Sequence, residues 1–138
     1  MKIIVDLYEQ QTETSITEYI EKCNELALSI NGEFQKELLN TPGFLIFISF
    51  ICFVLSQTDN LEILRATLCL VSHIIKNNTE TIHVFESNDI PQILYYLIQN
   101  GGMDADIISR CIFCISILIN GTYDILKYEY IMGYENLH

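Results

Sequence analysis

The sequence predicts an all-α fold, a right-handed α-solenoid in which helical repeats stack side by side. Two segments, residues 59–99 and 104–137, run through the same order of features: a long amphipathic segment, a polar corner and a short helical segment. The offset between Val71 and its counterpart Ile115 is 44 positions. A self-similarity of about 40 residues that is built only from helical patterns is typical of α-solenoids.

A fainter copy of the pattern lies nearer the N-terminus, where Ser29 precedes Ser72 by 43 positions and Pro42 precedes Pro91 by 49. We therefore expect one domain of about three repeats, an alpha-alpha superhelix with partial units at both ends. Solenoids cover their terminal repeats with polar caps, and neither end shows such a cap. Either the chain belongs to a longer solenoid, or a partner or a second copy covers the ends. Within residues 1–138, the predicted units are a partial repeat over 1–31, repeats over 32–77 and 78–120, and a partial repeat over 121–138.

The first predicted helix covers residues 1–11, because apolar side chains recur at i, i+1, i+4 and i+5 from Ile3. We assign it as the second helix of an incomplete repeat. A helix over 16–30 follows a polar break. Ser15, with Glu18 three residues later, fits a capping box at its start.

Asn31-Gly32 ends that helix, and a short helix over 33–39 ends before Pro42, because the residue before a proline leaves the helical region. Pro42 then favours the first turn of a helix over 44–55. These twelve residues carry no charge, whereas a bilayer span needs about 20 apolar residues. We therefore expect a buried solenoid helix here and no membrane segment.

The same order of helices then repeats. The first unit consists of a long helix over 61–76, a corner at Asn77-Asn78, a short helix over 79–86 and a medium helix over 89–99 that begins around Pro91. The second consists of a break at 100–102, a long helix to about Ile119 with Asp104 or Asp106 as its cap, a corner at Asn120-Gly121 and a short helix over 123–132.

The charge balance excludes two classes of partner. The chain has 7 basic and 18 acidic side chains, a net charge of −11. Nucleic-acid backbones and anionic membrane surfaces attract clustered Lys and Arg, so we predict no nucleic-acid and no membrane partner. The acidic surface suits a basic partner, or it simply keeps a chain that is 50% hydrophobic in solution.

The cysteines predict a reducing compartment, the cytoplasm and/or the nucleus, because they are odd in number and no secretory leader precedes them. Cys111 and Cys114 form a CxxC pair. A structural zinc site needs four ligands, and a thioredoxin-like motif needs a βαβ context, and neither is present. We interpret them as core residues and predict no metal and no other cofactor. All five cysteines lie in apolar helical segments: Cys23, Cys52, Cys69, Cys111 and Cys114.

The sequence predicts a protein that is not an enzyme. It contains no P-loop, no nucleophile-elbow motif and no metal-hydrolase motif. His73 is the only histidine expected on the exposed side of a long helix, and no pattern brings His83 or His138 to it. Nothing in the chain therefore assembles a nucleophile with a base.

The order of short, medium and long helices, with proline at the medium helix and Gly or Asn at the corner, resembles armadillo repeats. Within that family the chain is most similar to importin-alpha, whose long third helices carry a pattern close to A-x-W-A-I-S-N-I. Residues 67–74, TLCLVSHI, and 111–118, CIFCISIL, lie on this pattern. The resemblance runs from about Pro42 to the C-terminus. It implies a divergent or truncated relative, with a solenoid that binds cargo as a nuclear import adaptor.

In importin-alpha, the concave groove presents a ladder of Trp and Asn on the third helices. Asparagine holds the backbone of an extended peptide, and the tryptophan faces receive the stems of Lys and Arg. In this chain the Trp positions are Cys69 and Phe113, and the Asn positions are His73 and Ile117. The ladder is degenerate, so these residues do not carry over the family's way of binding a lysine-rich nuclear localisation signal.

The resemblance places the long third helices on a concave face, so we expect a peptide-binding strip along them. A strip with an aromatic side chain, a histidine and several acids can hold an extended or helical peptide. The alternative is that it is only the less buried side of two ordinary helices. The predicted strip consists of Glu62, Arg65, Cys69, His73, Asp106, Ser109, Phe113, Ile117 and Asn120.

Two functions are consistent with this organisation. The first is a non-catalytic scaffold that binds a protein or an extended peptide, a basic nuclear localisation signal among the candidates. The second is a structural module that self-associates or docks through its uncapped end helices, without nuclear-signal binding. The second predicts that a charge at Ile3 or Leu7, or at Tyr128 or Ile131 near the C-terminus, weakens association.

Overall fold

The computed structural model describes residues 1–100 and 104–120. These residues form α-helices and no strand, so the all-α prediction is confirmed. The predicted last helix, over 123–132, and the glycines at 101–102 lie outside the described residues. The helices are α1 (Lys2–Gln10), α2 (Glu13–Ser29), α3 (Gly32–Leu39), α4 (Phe44–Gln57), α5 (Leu61–Ile75), α6 (Thr79–Glu86), α7 (Ile90–Gln99) and α8 (105–120).

Asparagine and aspartate side chains begin four of these helices by accepting hydrogen bonds from backbone amides of the first turn, which otherwise lack partners. Asp104, and not Asp106, is the residue that begins α8, because its carboxylate accepts from the Asp106 amide at 2.8 Å. The four residues are Asn31, Asn60, Asn78 and Asp104.

The predicted start of α2 is wrong by three residues. Thr12, not Ser15, caps the helix: its hydroxyl accepts from the Ser15 amide at 3.0 Å, and the Ser15 hydroxyl accepts from the Thr12 amide at 2.9 Å. This reciprocal pair is a capping box in which serine takes the place of the usual Glu or Gln. Ser15 is buried as a result.

Three corners depend on residues in the left-handed conformation: Gln11 (φ 52°), Asn77 (φ 56°) and Asp89 (φ 67°). Asn77 lies at the predicted corner, and asparagine tolerates positive φ better than most residues. Asp89 precedes the proline-started helix α7. Gln11 separates α1 from α2 and has no such intrinsic preference.

The helices pack side by side in three sets. The long helices follow the order α2, α5, α8: α2 packs on α5, and the Cys114 thiol of α8 donates to the Leu68 carbonyl of α5. The medium helices follow the order α1, α4, α7: Tyr8 packs edge-on against Phe50, and the Cys52 thiol donates to the Asn88 carbonyl just before α7. The short helices α3 and α6 also pack together.

The core lies where these sets meet, with α1 on α2, α4 on α5, and α6 on both α5 and α7. The Tyr19 hydroxyl lies 2.8 Å from that of Thr67, and both residues are buried between α2 and α5. Thr67 donates its proton to the Ile63 carbonyl at 2.8 Å, so Tyr19 donates to Thr67.

Side-chain hydrogen bonds between distant parts of the chain have similar sequence separations. Among the described residues, those that join positions more than ten apart span 36 to 48 positions, from Cys52–Asn88 to Tyr19–Thr67. These hydrogen bonds therefore join helices, or the residues that flank them, two or three elements apart in the chain.

The expectation that α4 is buried on all sides is wrong. Its inner side is buried on α5, but Leu45, Ile46 and Phe53 are 59%, 74% and 56% exposed. The reason is that α1, α5 and α7 surround only part of the helix. Among the described residues no single helix has the length and apolar character of a membrane span, although α3 and α4, bent by 100° to each other, meet that test as a pair on length and composition alone.

Candidate peptide-binding groove

Four of the predicted strip residues lie on one side of α5: Glu62, Arg65, Cys69 and His73 follow helical spacing and are the less buried positions of that helix. The remaining positions of α5 are mostly apolar and fully buried, which fixes the orientation of this side. On α8 the same reasoning applies, because Asp106, Ser109 and Phe113 are exposed. The buried side of α8 consists of Ile107, Cys111, Cys114 and Leu118.

These residues line two adjoining depressions on either side of α5, which together we call the groove. The two depressions share Cys69 and Arg110 in their linings, so they adjoin at these residues. The first, about 440 Å³, lies between α2 and α5 and is lined by Ile20, Asn24, Glu62, Arg65, Ala66, Cys69 and Arg110. The second, about 270 Å³, lies between α5 and α8 and is lined by Leu68, Cys69, Ser72, His73, Asp106, Ser109, Arg110 and Phe113.

The structure thus brings seven of the nine predicted strip residues together. Ile117 is half-buried and Asn120 is exposed, and neither lines a depression. Arg110 and Asn24 were missed. Arg110 follows Asp106 by four positions and could have been assigned to the same helix face from the sequence. Asn24 could not have been assigned to the groove from the sequence, because the way α2 packs on α5 decides which α2 residues reach the groove.

Ion pairs cross the groove from α5 to α8. Arg65 lies 3.1 Å from Asp104 through Nη2 and 2.9 Å from Asp106 through Nε, and Arg110 Nε lies 3.0 Å from the same Asp106 oxygen. The hydrogen bond and the charge of Arg110, followed by the charge and hydrogen bond of Arg65, lower the pKa of Asp106. Both carboxylates are therefore neutralised within the groove, while Glu62 has no ion pair among the described residues.

The imidazole of His73 is held by its own helix. Its Nδ1 lies 2.8 Å from the Cys69 carbonyl oxygen. A carbonyl can only accept, so Nδ1 carries the proton in the neutral ring and Nε2 is left as an acceptor. The Ser72 hydroxyl donates to the same carbonyl at 2.7 Å. The second depression therefore combines an apolar floor of Leu68 and Cys69, the aromatic side of Phe113 and a rim of groups that can hydrogen-bond to a peptide backbone.

Three of the cysteines are protected by burial. Burial raises the pKa of Cys111 to about 11 and that of Cys23 and Cys114 to about 12. A nucleophilic thiol needs a lowered pKa, so these three are structural residues, as their sequence context predicted. No group of three or more His, Cys, Asp or Glu side chains in the described ranges lies close enough to hold a metal ion.

A search with protein-family models found none that matches this chain, and searches of curated proteins and of solved structures found no similar protein.

Proposed function

We propose that this chain is a non-catalytic scaffold that binds an extended segment of a partner protein along the groove. The observation that carries the proposal is the adjacency of the two depressions, which share Cys69 and Arg110, across α2, α5 and α8. A groove of this kind suits a chain segment that places successive side chains in successive depressions.

We also propose that the helices form an α-solenoid of the armadillo kind, in a single domain with the repeat units expected from the sequence. The side-by-side order of the long, medium and short helices supports this, and so do the similar sequence separations of the hydrogen bonds between helices. In solenoids each repeat contacts only its neighbours. A peptide-binding role is a common use of the surfaces that such stacking creates.

The groove residues indicate how a peptide would be held. An apolar side chain fits the second depression, against Leu68 and Phe113, because Phe113 is 54% exposed and has an apolar floor beside it. The backbone amides of the peptide can donate to His73 Nε2, and the Ser109 hydroxyl can pair with either backbone group. In the first depression, Asn24 and Glu62 offer an amide and an unpaired carboxylate.

Nuclear import is the narrower form of this proposal. The unpaired carboxylate of Glu62 favours a basic ligand, but a lysine-rich segment would also meet Arg65 and Arg110, which hold the other carboxylates of the groove. The residues present therefore favour a ligand with an apolar anchor over one with consecutive lysines. A protein with this role would act in the cytoplasm and/or the nucleus.

The proposal is tested with peptides selected from a displayed library of random 12-residue sequences on the immobilised chain. Selected peptides and a lysine-rich nuclear-signal peptide are then titrated by fluorescence anisotropy at two salt concentrations. We expect Phe113→Ala to weaken binding of the selected peptides about tenfold or more, the scale of a buried aromatic anchor. Ile112→Ala is the matched control, because Ile112 is 50% exposed on the same helix but lies outside the depressions.

Equal affinities for the wild type and the Phe113→Ala variant would place the ligand elsewhere and overturn the proposal, as would a failure to select any peptide. If the lysine-rich peptide binds with micromolar, salt-sensitive affinity and Glu62→Lys abolishes that binding, nuclear import becomes the favoured form of the proposal. Absence of that binding, with selected peptides still bound, would retire nuclear import and keep the scaffold.

Self-association through the end helices remains the second proposal, favoured by one observation: Ile3 of α1 is 62% exposed. Leu7, the other predicted position, is 8% exposed and belongs to the core. A charge at Leu7 would therefore disturb folding, and only Ile3 is a suitable probe of an interface at this end. Tyr128 and Ile131, the predicted positions near the C-terminus, lie outside the described residues.

A further inference from the structure

The outer side of α4 presents exposed apolar side chains outside the groove. Leu45, Ile46 and Phe53 are each more than half exposed. Neither α4 nor its neighbour α7 contains a charged residue, in a chain whose net charge is −11. On α7, Tyr95 and Tyr96 are also exposed, at 57% and 60%. The outer side of α4 shares no residue with the groove.

The exposed residues of α4 follow the spacing of a helix–helix seam. Ile46, Ser49, Phe53 and Ser56 are separated by three, four and three positions, the alternation by which two helices pack their side chains into each other. All four are exposed. Along this seam a large side chain alternates with a small one. Each serine therefore leaves a space into which a large side chain of a second helix can fit.

This alternation is self-complementary about a two-fold axis. In an antiparallel pair of α4 helices centred on position 51, Ile46 lies opposite Ser56 of the second copy, because both are five positions from the centre. Phe53 lies opposite Ser49 of the second copy, each two positions from the centre. Every layer then places a large side chain against a small one, which is how well-packed interfaces interdigitate. An interface that uses the same patch on both subunits has this symmetry.

The serines of the seam can be buried without leaving a donor unpaired. The Ser49 hydroxyl donates to the Leu45 carbonyl at 3.2 Å, and the Ser56 hydroxyl donates to the Cys52 carbonyl at 2.7 Å. Their protons are thus used within α4 itself. The usual free-energy cost of removing a hydroxyl from water is therefore largely avoided.

The charge distribution around α4 is uneven. α4 and α7 carry no charge of their own, whereas Lys2 and Glu9 of α1 line the depressions that contain Ile46 and Phe53. Two chains of charge −11 repel each other over most of their surfaces, and the absence of charge on α4 lowers that repulsion along the seam. The seam favours a second copy as the occupant, because its large and small side chains complement each other in an antiparallel pair.

We propose that this chain forms a two-fold dimer in which the outer face of α4 packs antiparallel against α4 of a second copy. The peptide groove of each copy stays free in this dimer. The proposal does not depend on the peptide-binding function.

Sedimentation velocity over a concentration series tests the dimer, with circular dichroism to confirm that each variant is folded. We expect Ser56→Ile to weaken the dimer about tenfold or more, because the added side chain meets Ile46 of the second copy. Ile46→Ser should weaken it to a similar degree. The double variant Ile46→Ser/Ser56→Ile exchanges the two sizes across the axis and should restore association to within about threefold of the wild type.

Leu28→Ser is the matched control, since Leu28 is 85% exposed on α2, outside this face; it should leave the dimer unchanged. A wild-type chain that stays monomeric at several hundred micromolar would overturn the proposal. So would a stronger dimer in Ser56→Ile, which would indicate non-specific apolar association, or a double variant no better than the single ones. A monomeric chain that floats with phosphatidylcholine vesicles, and loses this in Ile46→Asp, would assign the face to a lipid surface instead.

Discussion

The side-chain amide of Gln35 donates a 2.9 Å hydrogen bond to the carbonyl oxygen of Ile74, 39 positions further along the chain. It also donates to the Lys76 carbonyl at 2.8 Å, and the Thr81 hydroxyl donates to the Ile74 carbonyl at 2.9 Å. The last carbonyls of a helix have no partner within it. Residues from α3 and α6 thus complete the C-terminal end of α5, the helix that carries half of the groove.

Replacing Gln35 by Met keeps the length of the side chain and removes its donors. We expect the free energy of unfolding to fall by about 2–3 kcal/mol, because the carbonyls of Ile74 and Lys76 lose a buried partner. Urea denaturation of Gln35→Met and of Lys36→Met, its exposed neighbour, measures the difference. A loss in Gln35→Met no larger than in the control would show that water replaces the amide at this position.

At the end of α1, glycine substitutions at the neighbouring positions Gln10 and Gln11 should change the free energy of unfolding in opposite directions. Gln11 has φ 52° at the C-terminal end of α1, where glycine is the favoured residue. Gln11→Gly should raise the free energy of unfolding by up to about 1 kcal/mol by removing the strain of a side chain at positive φ. Gln10→Gly, within the helix, should lower it by about 1 kcal/mol. Thermal unfolding of the two variants would contradict the assigned backbone if both shifted in the same direction.

The buried thiols predict sensitivity to alkaline conditions. Burial holds the pKa of Cys23 and Cys114 near 12 and that of Cys111 near 11, above the ordinary value of 9.0. The unfolded chain loses these protons first, so the free energy of unfolding is unaffected below pH 9 and falls as the pH rises above it. The slope is at most about 1.4 kcal/mol per pH unit for each thiol.

Urea denaturation at pH 8, 9 and 10 in the presence of a reductant measures this slope, and Cys23→Ala should reduce it. If the midpoint stayed constant to pH 10, these thiols would not be protected from ionisation in the folded state.

The ion pairs of the groove predict how its charge preference can be changed. Arg110→Ala removes a cation shared by both depressions and releases one of the two arginine contacts of Asp106. We expect the affinity for a lysine-rich peptide to rise about three- to tenfold at low salt and the gain to shrink at high salt. Lys36→Ala is the control, because it changes the net charge equally on an exposed residue outside the groove. An equal gain in both variants would indicate a general charge effect.

The parts of the fold that depend on local chemistry were predictable from the sequence. The corner at Asn77-Asn78 and the short helix after it were predicted with the bounds that α6 has, 79–86. Asn78 caps that helix with its own side chain, at 3.0 Å from the Thr81 amide, and Asn77 adopts the positive φ that asparagine tolerates. The start of α2 was missed because Ser15 suits either position of a capping box, and Thr12, three residues earlier, completes it.

The candidate site was predictable as a helix face but not as a binding surface. Helical spacing, together with the resemblance to armadillo repeats, placed Arg65 and Asp106 on the strip, each on its own helix. That Arg65 neutralises Asp106 follows from the position of α8 beside α5, and single-sequence patterns contain no information about that distance. The exposed face of α4 escaped prediction for the same reason: composition shows that a helix is apolar all round, but the number of neighbours decides how many of its sides are covered.

The 36- to 48-position span of the hydrogen bonds between helices also bears on how the chain folds. None of these hydrogen bonds joins the two ends of the described chain, so the loss of entropy on closing each loop stays small. We therefore expect folding to proceed by adding one helix at a time to helices that are already packed. The same property weakens cooperativity. The proposed solenoid arrangement therefore predicts that hydrogen exchange reports lower protection in α1, which packs on α2 and α4, than in α5, which packs on α2, α4 and α6.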